Sequence, residues 1–405
     1  MRIVRILTRM NIGGPSVHAA ILANELDPGR FQTCLIIGKT APGEGERTHW
    51  VEGGPAKVVR MESLRRPPHP WADWVSLCRI LRIVWKERPQ IVHTHMAKAG
   101  ALGRLAGIVY NRVGPGRRPG HRAILVHTYH GHVLEGYFSR GVSRLLTGVE
   151  RWFSRYTDCL IAVSQTTQKD LLEKGIGKRD QWRVIPLGLD LKHLETLPLP
   201  NGSKPLRCGL VGRLVPVKNP SLFVQAIGQV AQRNPAGLLQ GSIIGDGPLR
   251  PTLEETVRVG GLEQVISFVG WQEDLRQYYE RLDVVCLTSW NEGTPVSVIE
   301  AMAAGRAAVA TAVGGVRDLL GWPPSGEQTE ILPGRFQVVQ RGLLTRAGDP
   351  EGLAAALEYL SQDGALRRRL GETGRGYART QFSHERLIRD ISDLYENLVH
   401  GGALA

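Results

Sequence analysis

Several features that define whole classes of protein are missing from this 405-residue sequence. Its five cysteines are scattered and never form a Cys-x-x-Cys pair, so neither a disulfide framework nor a structural zinc site is indicated. No apolar run approaches the roughly 18 residues that a membrane-spanning helix needs, and residues 1–7 are typical of a first strand rather than a signal peptide. The sequence therefore predicts a cytoplasmic protein.

Nucleic-acid binding and metal binding also lack a recognisable signature. No segment has the aromatic and basic spacing of a nucleic-acid motif, and no internal repeat or low-complexity tract is present. Histidines cluster in residues 93–100 and 127–132, but no cysteine or carboxylate completes a metal-ligating set at the required spacing. We therefore expect no nucleic-acid partner, no bound metal and no cofactor.

The apolar segments that are present are short and separated by helix-length stretches, which is the pattern of parallel sheets in an α/β protein. Because single cores stop growing near roughly 250 to 300 residues, a chain of this length has room for two domains. A turn-rich stretch at residues 184–206 indicates the connection between them. The predicted strands are residues 2–7, 90–93, 124–128, 159–163, 207–211, 241–244 and 284–287.

Positive charge is concentrated in the first half of the chain. Residues 1–200 hold 30 lysines and arginines against 16 acidic residues, whereas residues 201–405 hold 21 against 22. Such a field favours an anionic partner, which could be a phosphorylated acceptor, an acidic membrane surface or nucleic acid. The basic residues concerned form a Gly/Pro-rich loop and a predicted amphipathic helix: Arg112, Arg117, Arg118 and Arg122, then Arg140, Arg144, Arg151 and Arg155.

The most informative segment is Glu-Gly-Thr-Pro-Val-Ser-Val-Ile-Glu, which begins with Glu292 and ends with Glu300. It is predicted to form a short helix that starts at Pro295 and is capped by Thr294. The backbone amides of the first helical turn would face a diphosphate. Glu292 at the mouth of the helix and Glu300 about a turn and a half along it could bind two sets of sugar hydroxyls.

Two basic residues, Arg213 and Lys218, follow the predicted strand at residues 207–211, and a Gly-Asp-Gly-Pro turn follows at residues 245–248. Taken singly, spaced glutamates usually mark a solvated helix face, and a basic loop is usually a surface loop. In this order within one α/β domain, however, they resemble the retaining family 4 glycosyltransferases of GT-B architecture. The resemblance covers nearly the whole chain.

The resemblance implies two Rossmann-like α/β domains whose parallel sheets face each other across a cleft. Residues 1–188 would form the acceptor-side domain, and residues 189–382 would bind the nucleotide sugar. A helix within residues 383–405 would pack back on the first domain. The apolar periodicity of residues 384–395 independently predicts a helix there.

Specific roles also come with the resemblance. Arg213 and Lys218 would contact the diphosphate, Glu292 the transferred sugar and Glu300 the ribose. Two fixed cations and a helix N-terminus would stabilise the departing nucleoside diphosphate, so no metal would be required, and the chain contains no Asp-x-Asp. The backbone near the remaining predicted binding residues would hold sugar, phosphate and nucleobase: Gly293, Thr294, Pro295, Gly270 and Trp271.

The first domain contributes fewer predicted site residues. A Gly13-Gly14 turn leads into a helix and would allow a ligand to approach the backbone closely. His130 occupies the His-Gly position of the family pattern and would contact the transferred sugar, with His132 as the reserve. One departure from the family pattern is Thr294, which stands where a bulkier apolar residue is common and so bears on the choice of donor.

The expected reaction is transfer with retention, in which the acceptor attacks the face from which the diphosphate leaves. A UDP-sugar is the favoured donor, and the acceptor would be an anionic lipid-linked or saccharide molecule used in cell-envelope or exopolysaccharide assembly. The enzyme could lie peripherally on the inner membrane face. Two alternatives stay open: another GT-B sugar-nucleotide enzyme such as an epimerase, and a basic membrane-binding or nucleic-acid-binding protein without catalysis.

Overall fold

The computed structural model describes residues 1–11, 13–41, 45–131, 140–202, 204–234, 237–322 and 330–401, with only the backbone of Arg140. The chain divides into two compact units. Unit 1 comprises Met1–Leu189 with His384–Ala405, and unit 2 comprises Asp190–Ser383. The sequence-based boundaries were placed after residues 188 and 382. His132 lies outside the described residues.

Unit 1 is built on one parallel sheet, called sheet 1, with the strand order β3-β2-β1-β4-β5-β6-β7. Its central strands are buried on both faces, which is why they are nearly continuous apolar runs in the sequence. The strands are β1 (Arg2–Leu7), β2 (Gln32–Lys39), β3 (Lys57–Arg65), β4 (Ile91–His95), β5 (Ile124–Tyr129), β6 (Cys159–Ala162) and β7 (Trp182–Val184).

Helices connect these parallel strands, as the crossover geometry of an α/β unit requires. The helices of unit 1 up to β7 are α1 (Gly14–Asn24), α2 (Pro70–Glu87), α3 (Ala97–Arg112), α4 (Arg140–Ser154) and α5 (Gln165–Glu173). On one face of the sheet, Val84 of α2, Ala106 of α3 and Phe153 of α4 share a core with strand residues. This packing fixes the strand ends from which the histidines project.

Unit 2 repeats the design in a second sheet, called sheet 2, with the order β10-β9-β8-β11-β12-β14-β13. All neighbours are parallel except β13, which pairs antiparallel with β14 at the edge. The strands are β8 (Leu206–Val211), β9 (Leu239–Ile244), β10 (Ile266–Gly270), β11 (Val284–Leu287), β12 (Ala307–Thr311), β13 (Phe336–Val339) and β14 (Gly342–Thr345).

Several helices of unit 2 contribute to one large apolar core that includes Phe223, Val284 and Leu357. They are α6 (Lys192–Glu195), α7 (Pro220–Arg233), α8 (Arg250–Val259), α9 (Arg276–Arg281), α10 (Val296–Ala303), α11 (Val316–Leu320), α12 (Pro350–Gln362) and α13 (Gly364–Gln381). Within the described residues, no helix has both the length and the apolar character needed to cross a membrane.

The final helix, α14 (His384–His400), belongs to unit 1 although it follows unit 2 in the chain. Its buried face places Leu387, Ile391 and Tyr395 in a core with Ile3 of β1 and Ile21 of α1. The periodicity of the sequence predicted this helix because the apolar residues recur at helical spacing. Burial of that stripe against β1 and α1 stabilises the helix in place.

Two local predictions need correction. The helix that follows β11 starts at Val296, not at Pro295, because Pro295 has an extended ψ of 115° and is itself the N-cap residue. No side chain caps this helix, so the predicted capping role of Thr294 is wrong. The sequence-based list of strands also omitted β2, β3, β7, β10, β12, β13 and β14.

Candidate active site

The carboxyl edge of sheet 2 collects most of the predicted site residues of unit 2. The chain leaves β8 toward β9 on one side, while β11 lies on the other side of β8. A crevice forms in such sheets where neighbouring strands lead their connections in opposite directions, and ligands bind there. Arg213 follows β8, Gly270 ends β10 and Glu292 follows β11, so the fold brings these three residues to one edge.

Glu292 and Lys218 form an ion pair, although 74 positions separate them in the sequence. The Lys218 ammonium donates to Glu292 Oε1 at 2.5 Å, and the hydroxyl of Ser289 donates to the same oxygen at 2.6 Å. The carboxylate side chain is 10% exposed and the lysine side chain 30%. The pair is therefore held at the mouth of the crevice, where a ligand can reach both charges.

Backbone contacts fix the loop that carries Lys218. The hydroxyl of Thr288 donates to the carbonyl of Lys218 at 2.8 Å, and the amide of Trp290 donates to the carbonyl of Val217 at 2.9 Å. Both donors belong to the segment that follows β11. The loops after β8 and β11 are thus joined directly, which orients the lysine toward Glu292.

Arg213 differs from Lys218 in having no partner. Its half-buried guanidinium forms no hydrogen bond or ion pair with any residue in the described part of the chain. A partly buried cation at the end of a strand, beside the loop that carries Lys218, is available to bind an anion. The predicted pair of cations is thus present as one paired and one unpaired charge.

Two glycines allow the loops at this edge to approach each other closely. Gly245 has a φ of +143°, and a Cβ atom there would lie 1.9 Å from the carbonyl oxygen of Gly212. Gly314, with a φ of +47°, is equally close to the carbonyl oxygen of Glu292. A side chain at either position would push apart the loops that hold Arg213 and Glu292.

Glu300 lies inside α10 and accepts a hydrogen bond at 2.8 Å from the hydroxyl of Tyr279, a fully buried side chain of α9. The same hydroxyl lies 3.2 Å from the carbonyl of Ser297. Burial raises the pKa of Glu300 to about 7, and the Tyr279 hydrogen bond offsets part of that rise. The carboxyl is therefore poised between its two protonation states near neutral pH.

The other predicted binding residues of unit 2 lie along the same edge. Gly293, Thr294 and Pro295 connect Glu292 to α10, and all are at least partly buried. Gly270 has a φ of +81°, and its carbonyl accepts from the amide of Gly245 at 2.8 Å. Trp271, next in the chain, is 41% exposed and offers a flat apolar surface.

In unit 1 the predicted Gly13-Gly14 turn forms the start of α1. Gly13 is the N-cap residue, and its carbonyl accepts from the amides of Ser16 at 3.1 Å and Val17 at 3.3 Å. The helix begins at Gly14, at the carboxyl end of β1. The amides of Ser16 and Val17 are therefore already used within the turn, and Pro15 has no N–H to offer a ligand.

His130 follows β5 at the same edge of sheet 1. Its Nε2 atom lies 3.1 Å from Nδ1 of His95, which ends β4. Burial lowers the pKa of His130 to about 3 and lowers the pKa of His95 well below its ordinary value. Both rings are therefore neutral at physiological pH. His130 also contacts the ring of His18 edge-on, with centroids 5.0 Å apart.

Several buried nitrogens in this group form no hydrogen bond within the described residues: both ring nitrogens of His18, Nε2 of His95 and Nδ1 of His130. Buried polar atoms normally form hydrogen bonds, so these ring nitrogens are suited to bind ligand hydroxyl groups or water. His93, by contrast, is fully engaged, with Tyr395 of α14 at 2.6 Å and Thr128 at 2.7 Å.

Sequence reasoning missed four residues that shape these two edges: Ser289, Tyr279, Gly314 and His18. Ser289 could have been found, because it is the second residue after an apolar strand and lies three residues before Glu292. Tyr279 and His18 carry no such signal, since each is a single polar group within a helix whose partner is distant in the chain. Gly314 lies in a Gly-Gly pair that resembles any turn.

Two family models match the chain. The model described as Glycosyltransferase Family 4 matches residues 12–193, and the model described as Glycosyl transferases group 1 matches residues 205–363. The first match falls in unit 1 except for its last four residues, and the second falls in unit 2.

Two curated relatives illustrate the range of similarity. A D-inositol 3-phosphate glycosyltransferase from Corynebacterium urealyticum is 30% identical over 95% of this chain and 91% of its own length. UDP-Gal:alpha-D-GlcNAc-diphosphoundecaprenol alpha-1,3-galactosyltransferase from Escherichia coli is 28% identical over 60% of this chain. That match spans 63% of the Escherichia coli enzyme, which is less than two thirds of its length.

Among solved structures, HepE from Anabaena in complex with UDP superposes with a TM-score of 0.74. It is 18% identical, and the superposition covers 98% of this chain and 100% of HepE. HepE has also been crystallised with UDP-glucose. At this level of identity, the likeness establishes a common fold.

Proposed function

This chain belongs to the family 4 glycosyltransferases of group 1, and we propose that it transfers a hexosyl group from a UDP-sugar in glycan assembly. The family, the GT-B fold and the class of enzyme, a glycosyltransferase of the hexosyltransferase type, were predicted from the sequence and are confirmed. The donor, the stereochemistry, the acceptor and the residue roles are the parts proposed.

The observation that carries the proposal is the grouping of charges at the carboxyl edge of sheet 2. Arg213 is unpaired within the described residues, Lys218 is shared with Glu292, and the first turn of α10 follows at once. Departure of a nucleoside diphosphate develops negative charge on the phosphates. Two cations and a helix N-terminus stabilise that charge without a metal ion.

Each carboxylate suits a different part of the donor. Glu292 stands at the mouth of the crevice, where its oxygens can accept hydrogen bonds from hydroxyls of the transferred sugar. Glu300 lies deeper, held by Tyr279, and suits the two ribose hydroxyls. The Gly270 backbone and the flat face of Trp271 suit the nucleobase, and the backbone from Gly293 to Pro295 suits the sugar and phosphate.

UDP is the favoured nucleotide because proteins similar to this chain use it. The Escherichia coli relative is named for UDP-Gal, and HepE has been crystallised with UDP and with UDP-glucose. The same Escherichia coli name gives a diphosphoundecaprenol-linked sugar as acceptor. An anionic, lipid-linked or saccharide acceptor would fit the excess positive charge of residues 1–200.

For the chemistry we favour retention by attack on the same face. The bond between the anomeric carbon and the diphosphate oxygen breaks as the acceptor hydroxyl forms the new glycosidic bond. The hydroxyl proton passes to the departing phosphate, so no protein nucleophile is needed. Neutral His130 would accept or donate a hydrogen bond to the transferred sugar, and the Gly13-Gly14 turn would let a ligand approach the backbone closely.

The enzyme would bind its acceptor at the inner membrane face. It would attach there peripherally through a basic loop that contains Arg112, Arg117, Arg118 and Arg122. All four side chains lie at least partly at the surface. Each basic residue near an acidic membrane contributes roughly 1 kcal/mol of binding. Changing these four arginines to Gln should therefore weaken binding to anionic vesicles and make the remaining binding less sensitive to salt.

A thermal-shift panel of UDP-, GDP- and ADP-sugars tests the donor assignment. A ligand at a hundred times its dissociation constant stabilises the folded state by roughly 2.7 kcal/mol, so the correct nucleotide should stand out. Stabilisation by a GDP-sugar alone would reject the UDP assignment. Nucleotide release that requires an acceptor separates transfer from epimerisation, and strict dependence of that release on a divalent metal would contradict the two-cation account.

A further inference from the structure

One face of α4 is apolar and exposed to solvent. Leu145 is 68% exposed, and three further large apolar side chains are exposed on the same side of the helix. On a helix of 3.6 residues per turn, the four positions fall within about 80° of one another. We call them the α4 stripe: Val142, Leu145, Val149 and Trp152.

The face of α4 next to the stripe is fastened to unit 1, because Phe153, Leu146 and Glu150 follow Val142 around the helix by about 20° to 80°. Phe153 is buried in the core beneath α2 and α3, and Leu146 packs beside Tyr129. Glu150 accepts two hydrogen bonds from buried Arg104, at 2.8 and 2.9 Å, and one from the hydroxyl of Tyr129 at 2.6 Å. The helix therefore holds its orientation without any partner on the stripe.

The solvent-facing charged residues of α4 itself are basic. Glu150 is the one acidic residue of α4, and its carboxylate is used inside unit 1. Arg144 and Arg151 are exposed on the helix surface about 120° from the stripe, and Arg155 continues the same row past the helix end. The outward surface of α4 thus combines an apolar row with a basic row.

Aromatic contacts join the stripe to the basic end of α3. The rings of Trp152 and Tyr156 lie 5.0 Å apart, and the guanidinium of Arg112 stacks on the Tyr156 ring at 4.7 Å. Arg112 ends α3 and leads into the loop of Arg117 and Arg118. One continuous surface therefore carries the stripe, an amphipathic tryptophan and at least four arginines.

We propose that the α4 stripe inserts into the interfacial layer of an anionic lipid bilayer, with the arginine row and Arg112 contacting lipid phosphates. A helix with an apolar face, a tryptophan and a basic border has the character of an in-plane membrane helix. A protein partner would need matching acidic groups, whereas every anionic bilayer supplies them along the whole row. The inference rests on the membrane part of the proposed function and assigns it a specific surface.

Co-sedimentation with vesicles tests the inference on the full chain. The probes are vesicles of phosphatidylcholine alone and of phosphatidylcholine with phosphatidylglycerol. Leu145→Gln with Val149→Gln should lower the affinity for the mixed vesicles by about tenfold or more, since two apolar side chains lose their burial. Arg144→Gln with Arg155→Gln should lower it by about fivefold per residue, in a salt-dependent manner.

Val259→Gln is the matched control, because Val259 is 73% exposed on α8 of unit 2 and has no basic row beside it. It should leave vesicle binding unchanged. UDP-induced thermal stabilisation, measured on every variant, reports that each one folds and binds nucleotide independently of lipid.

Three results would overturn the inference. The stripe variant could bind mixed vesicles as tightly as the unmodified chain, which would leave attachment to the basic loop alone. The unmodified chain could bind neither vesicle, which would also remove the membrane part of the proposed function while leaving UDP binding intact. Finally, light scattering could show a dimer that the stripe variant dissociates, which would make a second copy the occupant.

Discussion

At the carboxyl edge of sheet 1 the candidate site residues are histidines that burial keeps neutral, whereas at the same edge of sheet 2 they are two cations and two carboxyl groups. Both sheets are predominantly parallel and both lead into helices at this edge. In unit 1, burial lowers the pKa values of His18, His95 and His130. In unit 2, Lys218 and Glu292 keep part of their surface open to solvent.

The difference shows how one scaffold can be adapted to two kinds of ligand group. Charged, partly open side chains suit a diphosphate that itself develops charge as it leaves. Neutral, buried imidazoles suit sugar hydroxyls, which need hydrogen-bonding partners without a net charge. A substitution that adds charge at the edge of sheet 1 should therefore impair binding of the sugar hydroxyls. One that removes charge at the edge of sheet 2 should impair departure of the diphosphate.

Substitution at Glu292 should produce the largest effect. Glu292→Gln keeps the shape of the side chain but removes the charge that pairs with Lys218. It also weakens the hydrogen bonds that the side chain would accept from the transferred sugar. We expect kcat to fall by about a thousandfold, in line with the loss of a preorganised electrostatic contact. Steady-state kinetics with the UDP-sugar identified by thermal shift measures this.

Exposed Glu263, elsewhere in unit 2, supplies the control for that substitution. Glu263→Gln should leave kcat unchanged. By calorimetry, UDP should bind the Glu292→Gln variant with nearly its original affinity, because Glu300 and Arg213 remain. A variant with full turnover would reject the role of Glu292.

Substitution of Arg213 or Lys218 by Ala should weaken UDP binding in both cases but should lower thermal stability in only one. Each charge-assisted contact to the diphosphate contributes roughly 1.5 to 3 kcal/mol, so either change should weaken UDP binding by about tenfold to a hundredfold. Arg213→Ala should leave thermal stability unchanged, since Arg213 has no partner in the described part of the chain. Lys218→Ala should also lower stability, because Glu292 loses its ion-pair partner. Equal stability of the two variants would argue that the ion pair contributes nothing.

A substitution in the histidine group tests the other side of the comparison. His130→Phe keeps a ring of similar size but removes both nitrogens, and we expect about a tenfold loss in kcat with UDP affinity unchanged. Because burial lowers the pKa of His130 to about 3, its protonation should produce no inflection in the pH profile between pH 5 and pH 9. A loss of UDP affinity as large as the loss of turnover would show that His130 serves the nucleotide instead.

The smallest expected effect concerns Glu300 and pH. Its folded-state pKa of about 7 lies above the ordinary value of 4.5, so the folded protein binds the proton more tightly than the unfolded chain does. This group therefore stabilises the fold below about pH 4.5, and that contribution is lost as pH rises through about 7. Glu300→Gln should remove this pH-dependent loss of unfolding free energy, which is on the order of 1 kcal/mol for a partly exposed group.

Urea unfolding of both proteins at pH 5 and pH 8 measures the difference. The Gln variant should gain stability relative to the unmodified chain at the higher pH. A parallel pH dependence in the two proteins would place the raised pKa elsewhere. Tyr279→Phe is a useful companion, because it removes the hydrogen bond to Glu300 and leaves the carboxyl in place.

Much of the fold could be predicted because its signals are local. The strands at residues 2–7 and 284–287 match β1 and β11 residue for residue, since an apolar run bounded by polar turns can hardly form anything else in an α/β chain. The omitted strands β7 and β13 are three or four residues long and only half-buried, so they carry little hydrophobic pattern. The predicted N-cap, Thr294, was one residue too early, because Pro295 has an extended ψ and the helix starts after it.

The candidate site residues also divide into those with a local sequence signal and those without one. Glu292, Arg213 and Lys218 could be selected from the sequence because each follows a strand, and the ends of parallel strands gather ligand-binding groups. Glu300, inside α10, was selected through its spacing from Glu292 and the family resemblance. Tyr279 could not be selected, because its hydroxyl acquires a role only when α9 packs beside α10. His18 is hidden for the same reason, since an isolated histidine in α1 gives no sign that it will meet His130.

The sequence by itself determined the class of fold, the two-part organisation, the family and the candidate residues, because hydrophobic periodicity and residue order are properties of the chain alone. Only the tertiary structure decided which polar side chains meet: Lys218 forms an ion pair with Glu292 across 74 positions, and His93 forms a hydrogen bond with Tyr395 across 302. Only it decided that the outer face of α4 is left uncovered. These contacts depend on the order of strands in a sheet and on which helix covers which face, and the packing of the whole chain sets both.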